Sequence, residues 1–145
     1  MKILGIDFGD RRVGIAVSDP SSQIALSRET LSVKNDEDAL KKLAGVIQEE
    51  SIERIVLGVP LDLDGCPGER AKRTIEFGQT LEETFGVRID HWDERLTTRI
   101  AKRTLREGGR KSTRRDGKLD QISAVIILQG YLDRQSTSSA RPIDE

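Results

Sequence analysis

Asp7, Glu94 and Asp120 each stand at the end of a segment whose pattern predicts regular structure. Asp7 lies in the largely apolar run Lys2–Phe8, where an ionised carboxylate costs free energy unless it is paired or binds a metal. Glu94 follows the segment Val87–Trp92, just past the carboxyl end of a predicted strand, where open α/β sheets carry their sites. Asp120 falls in the first turn of a strongly apolar helix. Each acid also has a plainer reading on its own: an edge or turn position for Asp7, a helix cap or surface acid for Glu94, the helix dipole for Asp120. Together, on element ends that one fold can gather, they make an all-oxygen donor set of the kind that suits Mg²⁺ or Mn²⁺. Two such ions about 3.5–4 Å apart can hold a phosphodiester, one activating water for in-line attack and the other stabilising the departing 3′-oxygen. Asp93 is the alternative to Glu94, because a strand ending one residue earlier exchanges their directions. Cys66 and His91 are the chain's single cysteine and single histidine, so neither an internal disulfide nor a Cys/His zinc site is expected.

A nuclease also needs a grip on phosphates. The net charge of -1, from 24 basic and 25 acidic residues, argues against one at first sight. The distribution argues for it. Ten basic residues lie between Arg95 and Lys118, opposed only by Glu107 and Asp116, so this segment carries +8 and the remainder -9. Arg95, Arg110, Lys111, Arg114 and Arg115 are the candidates for flanking phosphates, and Arg11 or Arg12 can reach the same groove. A solvated helix face and loop is the plainer account of the same segment. Thr97 is a helix start with a secondary role near phosphate.

The elements that must position these residues can be read from periodicity. Lys2–Phe8 reads as a buried strand, and Arg12–Ser18 as a second, joined to it by Gly9-Asp10-Arg11. Ala25–Val33 reads as a third. Asn35 can cap a helix from Asp36 to about Glu50, whose Leu40, Leu43, Val46 and Ile47 form an apolar stripe. Arg54–Val59 is the next strand. A helix from about Pro67 to Phe85 stops at Gly86. After Val87–Trp92, a helix from Thr97 or Thr98 to Glu107 is expected, then a basic loop over Arg110–Lys118, then an apolar helix over Leu119–Arg134. Three strands in succession followed by β-α-β crossovers predict a mixed five-stranded sheet flanked by helices, in one α/β domain over 1–134, with a disordered tail over 135–145. No helix follows the first strand, which excludes a Rossmann domain. No stretch approaches the length of a membrane span, no signal peptide is expected, and the chain reads as cytoplasmic.

Several of these segments resemble the YqgF family, also called RuvX or Holliday junction resolvase-like proteins. Asp7-Phe8-Gly9-Asp10-Arg11-Arg12-Val13-Gly14-Ile15-Ala16 is similar to its opening motif. Gly58-Val59-Pro60 with Asp64-Gly65 resembles the second, and Asp93-Glu94-Arg95-Leu96-Thr97-Thr98 the third. Asp120 with Ser123-Ala124 and Ile127-Leu128-Gln129-Gly130-Tyr131-Leu132 resembles the closing helix, although the family often has two alanines where this chain has Ser123-Ala124. The resemblance covers about residues 1–134. It implies an RNase H-like fold, with Asp7, Glu94 and Asp120 as metal-binding acids. It also implies a nuclease that processes the 5′ end of precursor 16S rRNA, with the ribosomal particle as a possible partner.

Other readings remain. Cutting of branched DNA as a Holliday junction resolvase is one, and a non-catalytic RNA-binding role in ribosome assembly is another. The Gly-Ile-Asp-x-Gly opening also resembles the phosphate loop of actin-like ATPases, but those need two related domains. The chain is expected to act as a monomer or a homodimer, away from membranes. His91 reads as structural, and Trp92 as core packing with base stacking as the alternative.

Overall fold

The computed structural model describes residues 1–61, 64–95 and 118–139. Its centre is a sheet in the order β3-β2-β1-β5-β6. β1 (Ile3–Phe8) and β2 (Arg12–Ser18) form an antiparallel hairpin in which Asp7 faces Gly14 and Phe8 faces Val13. The turn is closed by Gly9 N–H donating to the Arg12 carbonyl at 2.9 Å. A Cβ on residue 9 would stand 2.7 Å from that same oxygen, which is why the tight hairpin carries glycine there.

The expected third strand, Ala25–Val33, is two strands: β3 (Ala25–Ser27) and β4 (Leu31–Ser32), both antiparallel to β2. The cause lies in the register. Ser27 faces Ala16 and Leu31 faces Val13, so three residues span a stretch where β2 has two. That extra residue interrupts the ladder as a bulge does. Among the described residues the sheet therefore has six strands rather than five.

β5 (Arg54–Val59) runs parallel to β1, and β6 (Arg88–Asp93) parallel to β5, as the crossovers predict. α1 (Asp36–Glu50) starts where Asn35 Oδ1 accepts from the Asp38 N–H at 2.8 Å; Asp38 Oδ2 accepts from Lys34 N–H at 2.9 Å. α2 (Glu69–Phe85) begins two residues after Pro67 and ends at Gly86, whose φ of 66° lies in the left-handed region that favours glycine. α3 (Lys118–Ser139) continues through residues expected to belong to a disordered tail. Extending an existing helix fixes one residue per added hydrogen bond, so polar residues can prolong it cheaply. The expected helix from Thr97 or Thr98 to Glu107 lies outside the described residues, as do residues 110–117 of the expected basic loop. Among the described residues no helix is long and apolar enough to cross a membrane.

Alternation along the strands gives the sheet two apolar faces. Leu4, Ile6, Phe8, Ile55 and Leu57 pack against Ala39 and Leu43 of α1 and Phe77 and Leu81 of α2. Ile3, Ala16 and Val56 pack against Ala124, Ile127, Leu128 and Leu132 of α3.

At the sheet's amino-terminal end Glu50 accepts from Lys2 Nζ at 2.8 Å and from Arg28 Nε at 2.9 Å. The hydrogen bond from Arg28, then that from Lys2, holds its carboxyl at about 2, against an ordinary 4.5. A depressed carboxyl stabilises the fold above its unfolded pKa and loses that contribution as pH falls through the folded one. Glu50→Gln should therefore lower the stability by about 1–2 kcal/mol at pH 7, after allowance for solvent screening, and by much less near pH 2. Chemical denaturation at the two pH values measures the difference.

Candidate active site

Asp7 is half-buried and shares a strand face with Ile3 and Gly5. That face lies under α3: a Cβ on Gly5 would meet Leu128 Cβ at 2.8 Å and the Ala124 carbonyl oxygen at 3.2 Å. One residue past the Ile6–Leu57 pair, the parallel strands β1 and β5 reach Asp7 and Gly58. Gly58 faces α3 as well, because its Cβ would meet Ile127 Cδ1 at 2.6 Å. The same absent Cβ would stand 2.9 Å from Glu94 Cγ and 3.0 Å from Glu94 Cδ. Glu94 thus extends from the end of β6 across β5 toward the strand that carries Asp7. The sequence brings two acids to one face and one end of the sheet, and a glycine between them leaves the space.

α3 runs against the direction of β1 and β5. Ala124 and Leu128 lie on Gly5, while Tyr131 meets Arg54 at the start of β5. Its first turn, with Asp120, is one turn before Ala124, toward the carboxyl ends of the strands. The Asp120 side chain lies outside the described residues, as do Thr97, Arg110, Lys111, Arg114 and Arg115.

Asp93 behaves differently from Glu94. It ends β6 opposite Val59 and is gripped by Arg95, with Nε donating at 2.9 Å to Oδ2 and the backbone N–H at 3.0 Å to Oδ1. The side-chain hydrogen bond from Arg95 holds the Asp93 carboxyl below its usual range. Arg95 also lies beside the Asp64-Gly65 turn, its Nη1 3.3 Å from where a Gly65 Cβ would stand. Two of the sequence motifs therefore meet at one arginine. Arg11 and Arg12 are exposed on the β1–β2 hairpin, at the same end of the sheet as Asp7.

Arg73 was not singled out in the sequence, yet it braces this end of the molecule. Its guanidinium lies 5.4 Å from the centre of the Phe8 ring, pairs with Asp10 and donates to Asp36 at 3.0 Å. Phe8 in turn stacks on Phe77 with centroids 4.1 Å apart. The segment immediately after Asp7 is thereby fastened to both α1 and α2. Its partners are 63 and 37 residues away, so no local pattern announces them. Arg73→Ala should cost about 1 kcal/mol, since the groups are largely exposed, and Arg73→Lys should restore little because a single ammonium cannot replace the fork. Thermal melts of the two variants against the parent check this.

α3 ties the remaining strands. Gln129 Oε1 accepts from Ala25 N–H of β3 at 2.8 Å, and its Nε2 donates to Gln23 O at 3.0 Å. Gly130 makes room for Trp92, whose Cζ2 is 2.7 Å from the position of a Gly130 Cβ. The Tyr131 hydroxyl donates to Asp90 and accepts from Arg54 Nη1 at 3.0 Å. Trp92 is half-buried and packs against the α3 core, as its core-packing reading expects, and His91 is exposed.

A family model described as "RuvX: Holliday junction resolvase" matches residues 1–134. The chain belongs to the RuvX family. It is 43% identical over 135 residues to a protein of Acetivibrio thermocellus, covering 92% of this chain and 96% of that one. It is 44% identical over 135 residues to a protein of Ruminiclostridium cellulolyticum, covering 92% and 95%. Both relatives carry the name "Putative pre-16S rRNA nuclease". Among solved structures it is similar to T. thermophilus RuvC in complex with a Holliday junction substrate, with a TM-score of 0.62 at 14% identity, covering 94% of this chain and 97% of that one. The fowlpox virus Holliday junction resolvase matches with a TM-score of 0.54 at 11% identity, covering 92% and 99%. This likeness gives the RuvX-family chain an RNase H-like fold.

Proposed function

We propose that this RuvX-family nuclease is a metal-dependent endonuclease that matures the 5′ end of precursor 16S rRNA in the cytoplasm. The observation that carries the reading is the approach of Glu94 across Gly58 toward the strand of Asp7, at the carboxyl end of the sheet. Two carboxylates on one face, with the first turn of α3 at the same end, fit a hard divalent ion. The single His91 and single Cys66, both exposed, offer no softer alternative. Asp7, Glu94 and Asp120 would hold Mg²⁺ or Mn²⁺. When bound, the metal supplies an activated water and charge compensation at the departing 3′-oxygen.

The chain's own residues do the rest. The brace of Phe8 and Arg73 fixes the strand end behind Asp7, and the Asp93–Arg95 pair fixes the start of the segment carrying Glu94. Arg11 and Arg12 on the hairpin, with Arg95, Thr97, Arg110, Lys111, Arg114 and Arg115, hold the phosphates on either side of the cut. Precursor rRNA is favoured as substrate because relatives above 40% identity bear that name. The ribosomal particle is the expected partner, and the chain acts as a monomer or homodimer.

Junction resolution is the second reading, favoured by the fold likeness to RuvC. Incubation with 5′-extended 16S precursor, free and in ribosomal particles, beside a four-way DNA junction separates them. Metal-dependent trimming of the RNA is the expected result. Cutting of the junction alone would replace this reading with the second.

A further inference from the structure

β6 lies at an edge of the sheet, and beside it the carboxyl-terminal half of α3 borders an open groove of about 350 Å³. Its lining among the described residues includes Arg88, His91, Trp92, Tyr131 and Arg134. Asp90 is the acid of the lining and is already engaged, by the Tyr131 hydroxyl and by Arg88 Nε at 3.1 Å. Burial alone would raise its carboxyl, but those two hydrogen bonds, together with the charges of Arg88 and Arg54, leave it lower than usual. Arg88, His91 and Arg134 are exposed. Trp92 and Glu94 both lie on the α3 side of the sheet, against Gly130 and Gly58, so the groove leads away from the proposed cleavage site toward the start of the strand.

We infer that this groove holds the single-stranded flank of the RNA. The inference rests on the nuclease reading above and adds to it a track for the substrate outside the basic segment. The lining suits nucleic acid, and the groove adjoins the strand end that leads to Glu94, where a strand to be cut must pass. It has two guanidinium groups, whose planar forks match phosphate oxygens, beside the Trp92 indole, which can stack on a base; the His91 ring lies on the other face, against Gly78 of α2. A volume of about 350 Å³ is within the range of small-ligand sites and suits one or two nucleotides.

Trp92 is the only tryptophan in the chain, so its fluorescence reports on this groove alone. A fluorescein-labelled 12-nucleotide single-stranded RNA is titrated without divalent metal, following anisotropy and indole emission together. The emission should be quenched with the same midpoint as the anisotropy rise. The double variant Arg88→Gln with Arg134→Gln should bind about tenfold more weakly, with a salt dependence shallower by about 1.4, the slope for two phosphate contacts on a single strand. Both side chains are exposed, so the variant should fold, which circular dichroism verifies. Binding without quenching, or an unchanged affinity and salt slope in the double variant, would place the RNA elsewhere and overturn the inference. The nuclease reading fails by a separate result, the wild-type chain leaving 16S precursor uncut with metal present.

Discussion

Asp7→Asn should abolish metal-dependent cleavage, with a loss of about 10³-fold or more, worth roughly 4 kcal/mol of transition-state stabilisation. The substitution keeps the side chain's shape and removes the charge that a hard cation needs. Asp7 sits half-buried under α3, on the face that Glu94 approaches, so two like charges share that face. Loss of that charge should leave the melting temperature unchanged or higher, the trade expected where a site is kept for chemistry rather than stability. Single-turnover cleavage of 16S precursor, with a thermal melt on the same preparation, reads both effects. A variant that melts normally and still cuts would remove Asp7 from the site.

The second large effect separates two glycines on the same face. At Gly5 an added methyl meets Leu128 Cβ at 2.8 Å and a helix carbonyl at 3.2 Å, neither of which can swing away. Gly5→Ala should therefore force α3 off β1, costing about 1–3 kcal/mol and lowering the melting temperature by roughly 3–9 °C. At Gly58 the methyl meets the end of Ile127 and the flexible Glu94 side chain. Those atoms can move, so Gly58→Ala should cost less stability. It moves Glu94, however, and cleavage should fall by about 10²-fold, the scale of a catalytic group displaced by an ångström. Melting curves should show the larger loss in Gly5→Ala, and Gly58→Ala should lose cleavage out of proportion to its small loss of stability. A Gly58→Ala protein as active as the parent would show that the position of Glu94 does not matter.

Much of the scaffold was legible because its signals are local. Alternation located β1, β2 and β5 to within a residue, and Asn35 and Gly86 marked helix ends through side-chain capping and positive φ. The division of β3 from β4 was not legible, since a bulge is a property of pairing with β2 rather than of the strand's own residues. The end of β6 falls at Asp93, one residue beyond the expected boundary. Asp93, the last residue of β6, is held by Arg95, while Glu94, the first residue past the strand, lies over Gly58, a difference in placement that sequence spacing left open. Long-range contacts escaped altogether. The Arg73 brace and the Tyr131 link between Arg54 and Asp90 join residues far apart in the chain, with no periodicity to betray them. The acids of the proposed site could be named because a carboxylate in an apolar strand is conspicuous, whereas an arginine on an exposed helix face is not.

The central claim is that carboxylates gathered at the end of this sheet hold the ion that cuts RNA. Anomalous scattering from crystals of the wild-type chain soaked in Mn²⁺ tests it most directly. A manganese peak should lie in contact with Asp7 and Glu94 beside the first turn of α3, and should be lost in crystals of Asp7→Asn. A peak held by other residues, or an unchanged peak in the variant, would contradict it.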